Sequence, residues 1–243
     1  MSERPATGEV EVTALVDRHI RGGGRLQELH LPARRTVVVC PHPDDEALAT
    51  GGLIARQVAR GVAVVIVAVT DGGAAFSRTP DPALAAVRRG EQKEALRRLG
   101  HDPAQPVRLG LPDGSVGRHE RALGDALTEL VAPGDLLVAP SSQDWHPDHE
   151  ACGRAASLAA ATLGCDLLGS LFWAHHHPGR ITPGAVLGVL SLREDECKRR
   201  LASVLAHRSQ LSPGIPVVAP EHLRHLDRPV EYYLVDPQPT ELR

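Results

Sequence analysis

The sequence predicts an α/β fold, a mostly parallel sheet with helices on both faces and a site at the carboxyl edge of its strands. Three observations carry this. From residue 36 onward, short apolar runs alternate with helical patterns, as in parallel strands joined by crossover helices. The clearest run, VAVVIVAVT (62–70), has no polar alternation, so neither of its faces meets water. Nearly every clustered His and Asp then falls just after a predicted strand, where ligands bind in open parallel sheets.

The elements follow in order. Residues 1–33 are polar, contain RGGGR, and read as an N-terminal extension with one short element around Thr13–Ile20. The triple glycine is no dinucleotide fingerprint, because no strand precedes it and no helical pattern follows. TVVVC (36–40) is a buried strand and 45–60 a helix, with Gly61 as its C-cap. After the strand 62–70 comes a helix at 81–100, closed by Gly100. VRLG (107–110) is a third strand, 118–132 a helix and 135–141 a fourth strand. A helix at 146–164 ends on Gly164; 166–175 is a fifth strand, 193–210 a last strong helix and 228–235 an edge strand. No linker or repeat divides residues 34–243, which read as one domain.

Composition excludes several classes. Apolar residues make 42% and charged residues 23% of the chain, so a sizeable core is available. A net charge of −3 gives no field for nucleic acid. No apolar stretch reaches the roughly 20 residues of a membrane span. The start of the chain has neither a basic n-region nor a long apolar core, so no signal peptide is expected. The four cysteines are scattered, without a C-x-x-C pair, which fits reduced thiols and a cytoplasmic location.

Two segments concentrate the chemistry. His42-Pro43-Asp44-Asp45-Glu46 follows the first strand, and His146-Pro147-Asp148-His149 follows the fourth. Two His and one carboxylate are a common catalytic zinc set that leaves a position for water. A further carboxylate can accept the water's proton, and a further imidazole can steady an oxyanion. Asp44 and Asp45 are neighbours at a strand-to-helix turn and point in different directions; spacing alone does not say which ligates. His146 and His149 lie three apart and can face one cavity. The plainer reading of Asp45 or Asp148 is an N-cap, with Pro43 and Pro147 at helix starts. Two such segments at equivalent strand ends favour the catalytic one.

These residues resemble the PIG-L-like (LmbE-like) N-acetylglucosaminyl deacetylase family. PHPDDE and HPDHE are accompanied, in family order, by VTDGG (69–73), RRGEQKEALRRLG (88–100), LGLPDG (109–114) and KRRLASVLAHRSQ (198–210). The resemblance covers roughly residues 35–235. It implies a Rossmann-like fold and zinc-dependent removal of an N-acetyl group from an amino sugar or glycoconjugate. It also implies Zn2+ held by His42, Asp45 and His149, with Fe2+ able to fill the same set. Asp44 would be the general base, His146 the oxyanion stabiliser, and Asp148 would orient an imidazole. Arg88 and Asp113 would contact substrate. Asp71, between a strand and two glycines, is a further candidate for a substrate hydroxyl, though its plainer reading is a turn residue. Without the family pattern, Arg88 would read as part of a solvated helix face.

Other candidates are weaker. His175, His176 and His177 read as rim residues on the acceptor side, and Trp145 as a rim aromatic or a core residue. Glu46 reads as a supporting or first-turn charge, and His207 as an ordinary surface or structural histidine. A two-His-one-carboxylate iron oxygenase is the main rival of another class, but it uses H-x-[DE] spacing in an all-β barrel. A phosphoesterase would need ligands for a second ion. The acceptor carried by the amino sugar, another small N-acyl substrate in its place, and the oligomeric state are not readable from the chain.

Overall fold

The computed structural model describes residues 15–75, 79–101, 106–211 and 218–235. Helix α1 covers 15–21, within the expected extension, and β1 is Arg25–Glu28. Then come β2 (Thr36–Cys40), α2 (Asp45–Leu48), α3 (Gly51–Ala59), β3 (Val64–Ala68), α4 (Pro82–Arg98) and β4 (Val107–Arg108). They are followed by α5 (Glu120–Leu130), β5 (Leu136–Pro140), α6 (Pro147–Leu163), β6 (Asp166–Ser170), β7 (Val186–Ser191), α7 (Glu194–Val204), α8 (Arg208–Leu211) and β8 (Val230–Val235).

The strands form one sheet in the order β4-β3-β2-β5-β6-β8-β7-β1. All neighbours are parallel except β8, which runs antiparallel to β6 and β7. β2 and β5 are uniformly buried, because helices cover both sides. On one face α5 and α6 pack Leu123, Leu127, Ala155 and Ala159 against Val37, Val39 and Leu137. On the other, Leu53, Ile54, Leu96 and Leu99 meet Val38, Ile66 and Val138. Each fully buried aliphatic side chain of this kind contributes about 1.5–3 kcal/mol. The chain leaves β2 toward the α3 face and β5 toward the α6 face, so the loops after these adjacent strands diverge and open a crevice.

Local chemistry explains the helix ends. The Asp81 side chain accepts from the Ala83 and Leu84 amides at 2.8 and 3.3 Å, with Pro82 at the first helical position of α4. α6 ends on Gly164 at φ 65, the left-handed cap that glycine adopts without strain. Helix α3 has no side-chain cap of its own. Instead the buried Glu231 of β8 accepts from the Gly52 and Leu53 amides at 2.6 and 3.0 Å.

Several expectations need correction. The helix expected over 45–60 is two helices, broken at Ala49 and Thr50. The strand expected over 166–175 stops at Ser170, and the chain then turns through a 3-10 segment at Trp173–His175. β8 is not an edge strand but lies between β6 and β7; the edges are β1 and β4. Two strands have no counterpart in the sequence reading. β1, RLQE, is exposed along its whole length and has no apolar pattern to betray it. β7 carries Gly188 in its middle, a residue that weakens any strand signal.

Candidate active site

The two motif segments meet in the crevice between β2 and β5. The first turns sharply: Asp44 takes φ 154, a conformation that side-chain-bearing residues rarely adopt and that is held only by its surroundings. This turn separates the neighbouring aspartates. The Oδ2 of Asp45 accepts from its own loop's His42 amide at 2.8 Å and lies 3.5 Å from His42 Nδ1. Its Oδ1 lies 3.2 Å from His149 Nε2. Asp45 therefore sits between the two imidazoles, one oxygen toward each.

Both imidazoles are fixed from behind. His149 Nδ1 donates to Asp144 Oδ2 at 2.8 Å, and Asp144 Oδ1 accepts from the Phe172 and Ala174 amides. His42 Nε2 lies 3.3 Å from both Asp113 and Asp148. Asp148 in turn accepts from the Gly114 and Val116 amides, and Asp113 from the Ala74 amide. With its far nitrogen tied to a carboxylate, each ring keeps its other nitrogen turned toward Asp45. This is the arrangement that orients imidazoles on a metal.

The charge balance has the same sense. Burial alone would depress His149, but Asp45 and Asp144 overcome it and push the imidazole up to about 9. Against the same penalty, the carboxylates of Asp113, Asp148 and Asp45 hold His42 well above its ordinary value. Burial would raise the Asp45 carboxyl, yet the charges and hydrogen bonds of His149 and His42 keep it well below the usual range. Five buried or half-buried carboxylates, Asp44, Asp45, Asp113, Asp144 and Asp148, thus surround the imidazoles, and the pocket favours positive charge.

His146 differs from the other two. Its Nδ1 accepts from the Asp148 amide at 3.2 Å, so the ring's proton resides on Nε2. Burial, then the His42 and His149 charges, push it down to about 3. It is a neutral N–H donor at the same site. The side chains of His42, His146 and His149 bring one nitrogen each within 4.8 Å of one another, as do the ligand atoms of His42, Asp113 and Asp148. Neither group contains Asp45, whose two oxygens lie 3.5 and 3.2 Å from His42 and His149; imidazole nitrogens and carboxylate oxygens gathered this way are the donors a divalent cation takes.

Asp44 is buried beside Asp45 and lines the pocket. Burial, then the Asp45 charge, raises its carboxyl to about 7. Beneath it lies a closed polar network. The Asp44 amide donates to Glu46 Oε2 at 3.2 Å, Gln92 Nε2 donates to the same oxygen at 3.1 Å, and His207 Nε2 is 3.0 Å from Oε1. Gln210 donates to the Pro43 carbonyl. A cavity of about 150 Å³ is lined by these motif residues with Arg88, Asp113, Phe172, Trp173 and Gln210.

The structure therefore brings together His42, Asp44, Asp45, Arg88, Asp113, His146, Asp148 and His149. Arg88 belongs to no solvated face: it is 2% exposed and donates to the Gly72 carbonyl at 2.7 Å. Asp71 stands apart. Its two oxygens pair with Arg89 and Arg108, each at 2.8 Å, and it does not line the cavity. Sequence reasoning missed Asp144, Gln92 and Gln210, and undervalued Glu46 and His207. A signal existed for one of these. The buried stripe of α4 runs Arg88, Gln92, Ala95, Leu96, a core-facing spacing whose first two members are polar.

Comparison with known proteins shows the family. A family model described as PIG-L, GlcNAc-PI de-N-acetylase, matches residues 37–160. The chain is 26% identical over 217 residues to a probable N-acetyl-alpha-D-glucosaminyl L-malate deacetylase 2 of Bacillus anthracis, covering 84% of this chain and 93% of that protein. It is 40% identical over 164 residues to the 1D-myo-inositol 2-acetamido-2-deoxy-alpha-D-glucopyranoside deacetylase of Streptomyces griseus, covering 56% of this chain and 51% of the relative. Among solved structures, a conserved protein of Thermus thermophilus aligns with TM-score 0.59 and 27% identity, over 85% of this chain and 95% of that one. The N,N'-diacetylchitobiose deacetylase of Pyrococcus horikoshii shares the fold, with TM-score 0.55 and 23% identity over 74% and 72% of the two chains. The chain belongs to the PIG-L de-N-acetylase family and is a deacetylase, a hydrolase of amide C–N bonds.

Proposed function

We propose that this protein hydrolyses the N-acetyl group of an N-acetylglucosaminide in a zinc-dependent reaction, releasing acetate and the free amine. The observation that carries the reading is the pair of imidazoles, His42 and His149, each tied at its far nitrogen by carboxylate and turned toward Asp45. His42, Asp45 and His149 would hold the cation, with Zn2+ the expected metal and Fe2+ able to use the same donors. A bound divalent cation supplies Lewis acidity and a nucleophile at neutral pH.

The chain's own residues do the rest. Asp44 is the general base and takes the water's proton; a carboxyl raised to about 7 is suited to that task at neutral pH. His146 donates its Nε2–H to the oxygen that becomes negative when the acetyl carbon is attacked. Asp148 holds His42, and Asp144 holds His149. Arg88 and Asp113, on the pocket wall, bind the sugar hydroxyls. The C–N bond then breaks, the amine leaves with the proton gained from water, and acetate is released. The relatives, deacetylases of N-acetylglucosamine-linked compounds by name, support the substrate class. No helix among the described residues is long and apolar enough to cross a membrane; we place the enzyme in the cytoplasm as one catalytic domain over 34–243, acting on a small amino-sugar conjugate.

The test is acetate and amine release from methyl 2-acetamido-2-deoxyglucoside by protein stripped of metal and reloaded with Zn2+. Turnover restored by the metal and abolished in Asp44→Asn supports the reading. A reloaded protein that binds Zn2+ but leaves every N-acetylglucosaminide intact refutes the substrate class.

A further inference from the structure

The catalytic cavity, at about 150 Å³, is smaller than the roughly 300–1,000 Å³ pockets that enclose drug-sized ligands. Only the reacting unit fits inside, so whatever the amino sugar carries must lie on the rim. The rim is aromatic. The chain has only two Trp, two Tyr and two Phe, and both Trp and one Phe gather here. Trp173 and Phe172 line the cavity. Trp173 lies parallel to His146, with centroids 6.3 Å apart at 23°, and 6.4 Å from Trp145. Trp145 stacks on His177 at 3.8 Å and 12°.

Trp145 is the anomaly. It is 45% exposed, and its φ is 73, a genuine outlier for a bulky residue. Core packing accounts for neither. Strain of this kind collects at ligand sites. The indole of Trp145 is uncharged, and Arg180, three residues after His177, is already paired with Glu150 at 2.6 Å. An anionic acceptor therefore finds a negative charge and no free cation in that pair.

We infer that Trp145, backed by His177 and continued by Trp173, is a stacking platform for the acceptor of the substrate, and that this acceptor presents a flat ring face, a pyranose or an aryl group, in place of a linear carboxylate. The inference rests on the proposed deacetylation for its substrate but not for its readout. A ring held against the Trp145 face buries apolar surface on both partners and adds a geometric preference for stacking.

The experiment compares methyl, phenyl, β-N-acetylglucosaminyl and L-malyl N-acetylglucosaminides with wild type, Trp145→Ala and Trp145→Phe. A kcat/KM advantage of about tenfold for ring acceptors over methyl, lost in Trp145→Ala and kept in Trp145→Phe, is expected. The phenyl and sugar arms distinguish the two ring types. An advantage that survives Trp145→Ala, or a malyl compound favoured as strongly as the rings, overturns the platform. The second readout needs no turnover. All tryptophan emission comes from Trp145 and Trp173, and Trp173 lines the cavity, so in Trp173→Phe, where Trp145 alone emits, the deacetylated phenyl or disaccharide glucosaminide must shift the emission and the methyl compound must not. If no glycoside is hydrolysed but the shift appears, the proposed substrate falls and the platform stands. The absence of a shift, or one that depends on protein concentration alone and so reports a second copy on this face, overturns it.

Discussion

The two motif turns look alike in sequence and differ in their surroundings. The first feeds a four-residue helix whose residues are all buried, with no side-chain cap, and its Glu46 is closed in by Gln92 and His207. The second opens the 17-residue α6, capped by His146 and started by Pro147, with Trp145 standing in solvent beside it. Asp44 and Asp45, the proposed base and metal ligand, are held by packing and hydrogen bonds around α2. His146, the proposed oxyanion donor, sits where the fold opens. One turn is built to fix geometry and the other to admit variation.

The largest expected effect breaks the closed turn at its reacting group. Asp44→Asn lowers kcat by about 10³-fold, in the range of lost general base catalysis, while metal content measured by atomic absorption is unchanged. His42→Ala by contrast loses the metal itself. Next comes the network beneath. His207→Ala leaves the fully buried Glu46 without its charge partner and lowers stability by about 3 kcal/mol, read as a lower denaturant midpoint at unchanged slope. The corresponding perturbation at the second turn is milder. Asp144→Ala frees His149 Nδ1 and weakens metal affinity about 10- to 100-fold, measured by chelator competition, with the fold retained.

A pH dependence sharpens the contrast on the closed side. Burial, then the charges of His225 and His176, holds His175 well below the ordinary imidazole value. The folded state refuses a proton that the unfolded chain accepts below about pH 6.5. Stability from this group is therefore full above that pH and is lost as pH falls toward the folded value. Between pH 7.5 and 5 the urea midpoint of the wild type is expected to drop relative to that of His175→Gln, whose side chain has no imidazole to protonate. The smallest effect belongs to the open helix. The exposed pair between Arg154 of α6 and Glu120 of α5, at 2.8 Å, contributes less than about 1 kcal/mol, so Glu120→Gln shifts the midpoint barely at all.

What the sequence discloses follows from how local each signal is. His42, Asp44, Asp45 and His149 are legible because polar clusters interrupt apolar strands at a predictable sheet edge. Asp144 is not, because it lies in the loop before Trp145 and reads as a turn residue until the fold lays it under His149. His207 and Gln92 lie 161 and 46 positions from Glu46, and only the packing of the helices around α2 brings them there. The parallel half of the sheet announces itself through its apolar runs. β8 reads as an edge because a lone strand does not name its neighbours.

That placement has a consequence for how the molecule comes into being. β6 and β7 emerge from the ribosome well before β8, yet neither can hydrogen-bond along its facing side until residues 230–235 arrive between them. The same late strand brings Glu231, which finishes the start of α3 some 180 positions upstream. A nascent chain stalled before β8 exposes two unpaired strand borders and an unfinished helix behind the first motif turn, edges open to pairing with other chains.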